Sequence, residues 1–271
     1  MLKALSVDGY DVITVVRSPD EEVGSLAERD LLTKLGAGHG VVLSFEGPGQ
    51  DESIRLATSG IQLAVLTVTG RASHAGNAPD QGRNALYELS HQLLQLRDLS
   101  EPARAVKVNW TLANAGSVYN AIPAPAMAIG DMRADDPNDF KAVEAAIRER
   151  IKNCLISDTT VDVRFETVFP PMPFAPASLP LAEHVQRLYA EAGGTAKINR
   201  VSIGAGTDAA FAALETKAPV IEGMGLRSFG AHTNNAEYVN TSSIEPRLYL
   251  LTRLIMDIAA GRAGVPAPAV R

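Results

Sequence analysis

Between residues 61 and 168 the chain changes its grammar, and this interruption constrains the fold more than any single residue does. Apolar runs at Leu63–Thr69, Ala105–Ala113, Ala126–Ala134 and Val161–Glu166 predict strands, and amphipathic stretches at Arg83–Arg97 and Pro137–Cys154 predict helices between them. The resulting order, β-α-β-β-α-β, is that of a ferredoxin-like domain. Both flanks read differently. Upstream, a strand at Val12–Val16, a helix at Leu26–Leu35 and a strand at Val41–Phe45 alternate as in a parallel α/β sheet. Downstream of the proline-rich Phe169–Pro173, helices at Leu181–Ala192, Asp208–Leu214 and Ile244–Ala260 accompany a short strand at Pro219–Ile221, with Gly223–Gly230 as loop. We therefore expect an α/β fold in which residues 1–60 and 169–271 form one sheet domain and residues 61–168 form a ferredoxin-like domain inserted into it.

The charge balance narrows the partners. A net charge of -6 over 271 residues offers no basic field to a phosphate backbone, so nucleic acid is not expected. No apolar run reaches the ~18 residues of a membrane-spanning helix, so no membrane partner is expected either. Met1–Tyr10 is too polar for a secretory signal and reads as the end of a helix, which leaves a cytoplasmic location as the default. The single cysteine, Cys154, excludes an internal disulfide and a cysteine-rich zinc site, and reads as a small apolar residue near a helix end. The Ala/Pro/Gly tail after Gly261 reads as frayed.

Chemistry concentrates at the strand exits. Glu21 and Glu22 follow Val12–Val16 within Asp20–Ser25, and Glu46-Gly47 closes Val41–Phe45. In parallel α/β sheets, ligands gather at these carboxyl ends. His39, His91 and His184 fall at predicted surface positions of helices or turns, where solvated or capping roles are expected. His74 stands in a turn of small residues, and His232 lies beside a glycine in a loop, the context of a ligand or a catalytic base. Glu21, Glu22, Glu46 and His232 together form a hard-oxygen and imidazole set suited to zinc. Taken singly, the carboxylates are equally explained as caps of following helices. Gly204–Ala210 lacks the third glycine of a dinucleotide loop, but its helix start could receive a substrate carboxylate.

As an ordered set, Asp20–Ser25, Glu46-Gly47, Ala72–Gly76, Asn120–Pro123, Asp131–Arg133, Gly206–Ala209 and His232 with Ala236–Val239 resemble the M20 family of metallopeptidases, most closely its glutamate carboxypeptidase branch. The resemblance implies a two-zinc hydrolase whose zinc-exopeptidase-like sheet domain is interrupted by a ferredoxin-like lid that also dimerises. By residue-wise transfer, Glu21 is the general base, Glu22 and His232 ligate the first zinc, and Glu46 ligates the second. His74 would stabilise the oxyanion across a homodimer, while Asn120 and Arg133 would hold the substrate carboxylate or the developing oxyanion. The implied substrate is a peptide or small N-acyl amino acid, cleaved at the amide of its C-terminal residue.

One departure stands out. The family carries a His-x-Asp ligand motif and a bridging aspartate before the Glu-Glu pair, and no His-x-Asp occurs here. Roughly the first third of a complete member is missing by this comparison, the zinc site is incomplete, and weak zinc binding with little hydrolysis is expected of this chain alone. Arg55 is the one basic candidate for a glutamate pocket at the entrance to the inserted domain, and Pro170–Met172 supplies none at its exit. Two further readings share the same residues: an N-acyl amino acid amidohydrolase of the aminoacylase or desuccinylase kind, and a non-catalytic dimerising protein.

Overall fold

A computed structural model describes residues 10–202, 204–231, 233 and 236–265. The chain divides into two compact units, one formed by residues 1–58 and 172–271 and the other by residues 59–171. In chain order, the first unit opens with α1 (Arg29–Gly38), β1 (Val42–Leu43) and β2 (Ser53–Arg55). The second unit contains β3 (Gly60–Thr69), β4 (Ser73–His74), α2 (Ala85–Gln95), β5 (Lys107–Ala115), β6 (Ala121–Ile122), β7 (Pro125–Ala134), α3 (Pro137–Arg150) and β8 (Thr160–Phe169). The first unit resumes with α4 (Leu179–Glu191), β9 (Lys197–Asn199), α5 (Ala209–Ala213), β10 (Val220–Ile221), β11 (Ser228–Phe229), β12 (Tyr238–Val239) and α6 (Ile244–Ala259).

In the second unit the four long strands form one antiparallel sheet in the order β5-β7-β3-β8, the ferredoxin-like arrangement. Alternation sets its faces. Ala64, Leu66 and Val68 of β3 and Ala126, Ala128 and Met132 of β7 are buried with Leu89 of α2 and Val143 and Ile147 of α3. Each large side chain buried here contributes roughly 1.5–3 kcal/mol. Helix starts are written locally: the Asn84 side chain accepts from the Leu86 and Tyr87 amides, and Asp136 accepts from Asn138 with Pro137 in the first turn. The α3 helix stops at Arg150, so Cys154 lies beyond it and is exposed rather than packed at a helix end.

The first unit is built from short pairings. Parallel ladders join β1 to β10 and β2 to β9, and β11 pairs antiparallel with β12. The α4 and α6 helices bury Leu181, Val185, Leu188, Leu250 and Leu254 with Ile54, Leu56 and Ile221. Ala263 and Val265 join that core, so the chain past Gly261 is packed as far as Val265, contrary to the frayed tail expected.

Two other expectations fail here. Val12–Val16 forms no strand: Val12 is 60% and Val15 78% exposed. The run is β-branched, but no ladder partner lies beside it among the described residues, and a strand without a neighbour leaves its amides and carbonyls unpaired. His184 is not on the surface but buried between α4 and α6. Its Nδ1 accepts from Arg187 at 2.8 Å, which leaves Nε2–H to donate to Asp257 at 2.9 Å. Burial alone would raise the Asp257 carboxyl, but hydrogen bonds from Arg262 and His184 hold it below the usual carboxylate range. The helix end expected at Met1–Tyr10 falls almost wholly outside the described residues. Among the described residues, no helix is long and apolar enough to cross a membrane.

Candidate active site

The Asp20–Ser25 segment folds into a single 3-10 turn, Glu21–Val23, ended by Gly24. Gly24 has φ +89°, a left-handed conformation that glycine adopts without penalty, and its amide donates to the Glu21 carbonyl at 2.8 Å. Ser25 follows at φ +50° and is fully buried, with its hydroxyl donating to Asp208. The turn is tied down at its other end by Asp20, whose carbonyl accepts from Val23 and Ser25 and whose carboxylate accepts from Ala27 at 3.1 Å. Glu21 and Glu22 are thereby presented from a tight turn rather than from a strand end.

Glu46 and Glu222 both lie past the carboxyl ends of the parallel strands β1 and β10, Glu222 directly after Ile221 and Glu46 three residues after Leu43. Beyond the ladder the two chains stay together: Ser44 donates to Ile221, and Met224 and Gly225 donate to Ser44 and Glu46. A Cβ at Gly225 would lie 2.0 Å from the Phe45 carbonyl oxygen, so only glycine permits this approach. Glu222 is completely buried and accepts from Thr207 at 2.9 Å and from the Gly223 amide at 3.0 Å, with Arg55 at 3.8 Å. Arg55, only 12% exposed, lies beside this carboxylate, and its backbone exchanges hydrogen bonds with that of Glu222.

Five carboxylates, those of Glu21, Glu22, Glu46, Asp208 and Glu222, therefore share one region of the first unit. Burial, then Glu46, Glu22, Asp208 and Glu222, push the Glu21 carboxyl up to about 7. Glu46 keeps accessible surface, yet the protein packed around its carboxyl, together with Asp208 and Glu22, raises it against the opposing pull of Arg55. Glu222 is raised chiefly by its burial. Hard oxygens that crowd and destabilise one another fit a divalent cation in their donor chemistry. Among the described residues, no three His, Cys, Asp or Glu side chains are arranged to hold a metal ion, and His232 lies outside the described residues. Asp208 and Glu222 are not among the candidates the sequence offers. Glu222 could have been, because it follows Pro219–Ile221 as Glu46 follows Val41–Phe45.

The second unit presents the other three residues. His74, on β4, is exposed, and its Nδ1 accepts from the Gly76 and Asn77 amides at 3.1 Å. The neutral ring consequently carries its proton on Nε2, an outward donor. Asn120 precedes β6 beside it, its carbonyl accepting from Ala75, where His74 pairs with Ala121. Arg133 is elsewhere. It sits near the far end of β7, eight residues past Pro125, or ~27 Å at the rise of an extended strand. Asp131 grips its guanidinium from both oxygens at 2.8 and 3.0 Å.

Residues 56–159 match the peptidase dimerisation domain of the M20 family. The chain is 41% identical over 263 residues to carboxypeptidase G2 of Pseudomonas sp. (strain RS-16), an alignment covering 97% of this chain and 63% of that protein. Among solved structures, it resembles the aminopeptidase PepT of Bacillus cereus with TM-score 0.72 and 19% identity, over 89% of this chain and 62% of that one. It also resembles a tripeptidase of Staphylococcus aureus with TM-score 0.61 and 17% identity, over 81% of this chain and 55% of that one. These two likenesses speak for the fold, and the chain spans less than two thirds of each of these three proteins. The dimerisation-domain match and the identity to carboxypeptidase G2 both make the chain similar to the M20 family of peptidases.

Proposed function

We propose that this chain supplies the base, part of the metal site and the lid of a zinc-dependent hydrolase that cleaves the amide bond to a C-terminal amino acid. The observation that carries this reading is the convergence of Glu21 with Glu46, Asp208 and Glu222, in a chain 41% identical to carboxypeptidase G2. Glu22 and His232 would hold one cation and Glu46 the other. When bound, these cations supply Lewis acidity at the scissile carbonyl and the attacking water. Glu21 takes the proton from the attacking water and returns it to the leaving amine. The Nε2–H of His74 donates to the oxyanion, Asn120 adds a second donor, and Arg133, aligned by Asp131, receives the carboxylate.

The separation of Arg133 from His74 and Asn120 along β7 supports a homodimer, because one lid cannot bring all three to the same small substrate. The surface available for pairing is apolar: Tyr87 and Leu94, one heptad apart on α2, are 63% and 62% exposed, and Leu112 on the edge strand β5 is 49% exposed. On Glu22, His232 and Glu46 alone, each cation has fewer than the three protein ligands of catalytic zinc, so this chain by itself binds zinc weakly and turns over slowly.

The test incubates the purified chain in excess zinc with N-acyl amino acids ending in glutamate or in neutral residues. Slow release of the terminal residue that disappears in Glu21→Gln supports the proposal. Release unaffected by that substitution refutes it. Zinc binding without any release would favour the non-catalytic dimerising reading.

A further inference from the structure

We infer that Asp208 is a positioning residue which, through the Ser25 hydroxyl, fixes the turn that presents Glu21 and Glu22. The inference deepens the proposed hydrolase and rests on that reading for its consequence, though not for its geometry. Ser25 is completely buried and sits at φ +50°, a region that costs a side-chain-bearing residue ~1 kcal/mol or more unless its surroundings impose it. Glycine would occupy this φ freely, so the conformation does not by itself account for a serine. What serine adds is a hydroxyl, and that hydroxyl bonds to Asp208 Oδ1, 183 residues away in sequence, with Ser18 Oγ also 3.3 Å from it.

The anchor at the other end of this bond is rigid. Asp208 immediately precedes α5, and α5 is locked to α1, the helix that follows the glutamate turn. Thr33 donates to the Phe211 carbonyl at 3.1 Å, the Arg29 guanidinium lies 5.2 Å from the centre of the Phe211 ring, and Gly36 passes so close that a Cβ would meet the Ala212 oxygen at 2.0 Å. The bond from Ser25 to Asp208 thus closes a frame of two packed helices at the point where the turn enters it. The turn's own bonds, from Val23 and Ser25 to Asp20 and from Gly24 to Glu21, set its shape, and the Ser25–Asp208 bond sets where that shape stands.

The experiment compares the wild-type chain with Asp208→Ala, which removes the acceptor, and Asp208→Asn, which keeps an oxygen for Ser25 but removes the charge. Hydrogen exchange of the segment 18–28 is followed by mass spectrometry without metal, and zinc affinity is measured by competition with a chromophoric chelator. Asp208→Ala is expected to speed exchange in that segment about tenfold while the β3–α2 region is unchanged. It is also expected to weaken zinc binding by roughly 10–100-fold, the range for residues that orient metal ligands. Asp208→Asn recovers most of the protection. If Asp208→Ala melts, Ser25→Gly removes the same bond at a backbone angle that suits glycine and takes its place. Unchanged exchange in Asp208→Ala, or a loss as large in Asp208→Asn, overturns the inference. A wild-type chain that binds no zinc would refute the proposed hydrolase, while the exchange comparison would still decide the role of Asp208.

Discussion

Crowding of carboxylates around Glu21 makes a prediction about stability whose sign is opposite to that of ordinary acid unfolding. Glu21 has a folded-state value of about 7 against 4.5 for a free glutamate. The folded chain therefore holds this proton more tightly than the unfolded chain. Its stabilising effect is complete below about 4.5 and fades as the pH rises through about 7, so stability should fall with pH across that window. A shift of this size corresponds to at most ~3.4 kcal/mol. Glu21 retains contact with solvent, and screening brings the expected loss down to roughly 1–2 kcal/mol. The raised carboxyls of Glu46 and Glu222 act in the same direction. Asp20, Asp51, Asp98 and Asp257 are lowered from 3.8 and so titrate below the window, where they cannot mask the trend.

The assay is urea unfolding of the metal-free chain in chelator at several values between about pH 5 and pH 8, alongside Glu21→Gln. The wild type should lose stability toward pH 8, and the variant should show a profile flatter by roughly 1–2 kcal/mol across the range. Stability that rises with pH in the wild type, or equal slopes in the two proteins, would show that these carboxylates are not crowded as described.

Three other outcomes are expected. Gly36→Ala gains ~1 kcal/mol of helix propensity but drives a methyl into the Ala212 carbonyl at 2.0 Å, so a net loss of about 1–2 kcal/mol should appear as a lower urea midpoint. Asp257→Ala strips the buried His184 Nε2–H of its acceptor and should cost ~3 kcal/mol, whereas Asp257→Asn keeps an acceptor and should cost less than half as much by thermal melting. Leu94→Glu on the exposed face of α2 should shift a homodimer to monomer in light scattering while leaving far-ultraviolet circular dichroism unchanged.

What could be read in the sequence follows the range of the interaction that decides each element. The ferredoxin-like sheet was legible because its strands are nine or ten residues long and alternate against one layer of helices, so Ala64, Leu66 and Val68 declare their inward face without reference to any distant segment. The strands of the other unit have two or three residues, too few to carry a period. β2 is not locally legible because it is a strand only through Lys197–Asn199, and Val12–Val16 misleads for the converse reason, having the residues of a strand but no neighbour among the described residues. His184 shows the same limit for a side chain. An imidazole on an amphipathic helix reads as surface until Asp257, 73 residues later, supplies the acceptor that makes its burial affordable. The acidic site divides along this line as well. Glu21, Glu22, Glu46 and Glu222 each follow an apolar run in the sequence and are locally visible, but their mutual crowding, and the dependence of the glutamate turn on Asp208, exist only after β1 and β10 pair and α5 docks on α1. If that is correct, substitutions that loosen the α1–α5 contact, Gly36→Ala first among them, should bring the Glu21 carboxyl back toward 4.5 without touching any carboxylate, since relaxed spacing lowers both the burial and the repulsion that raise it.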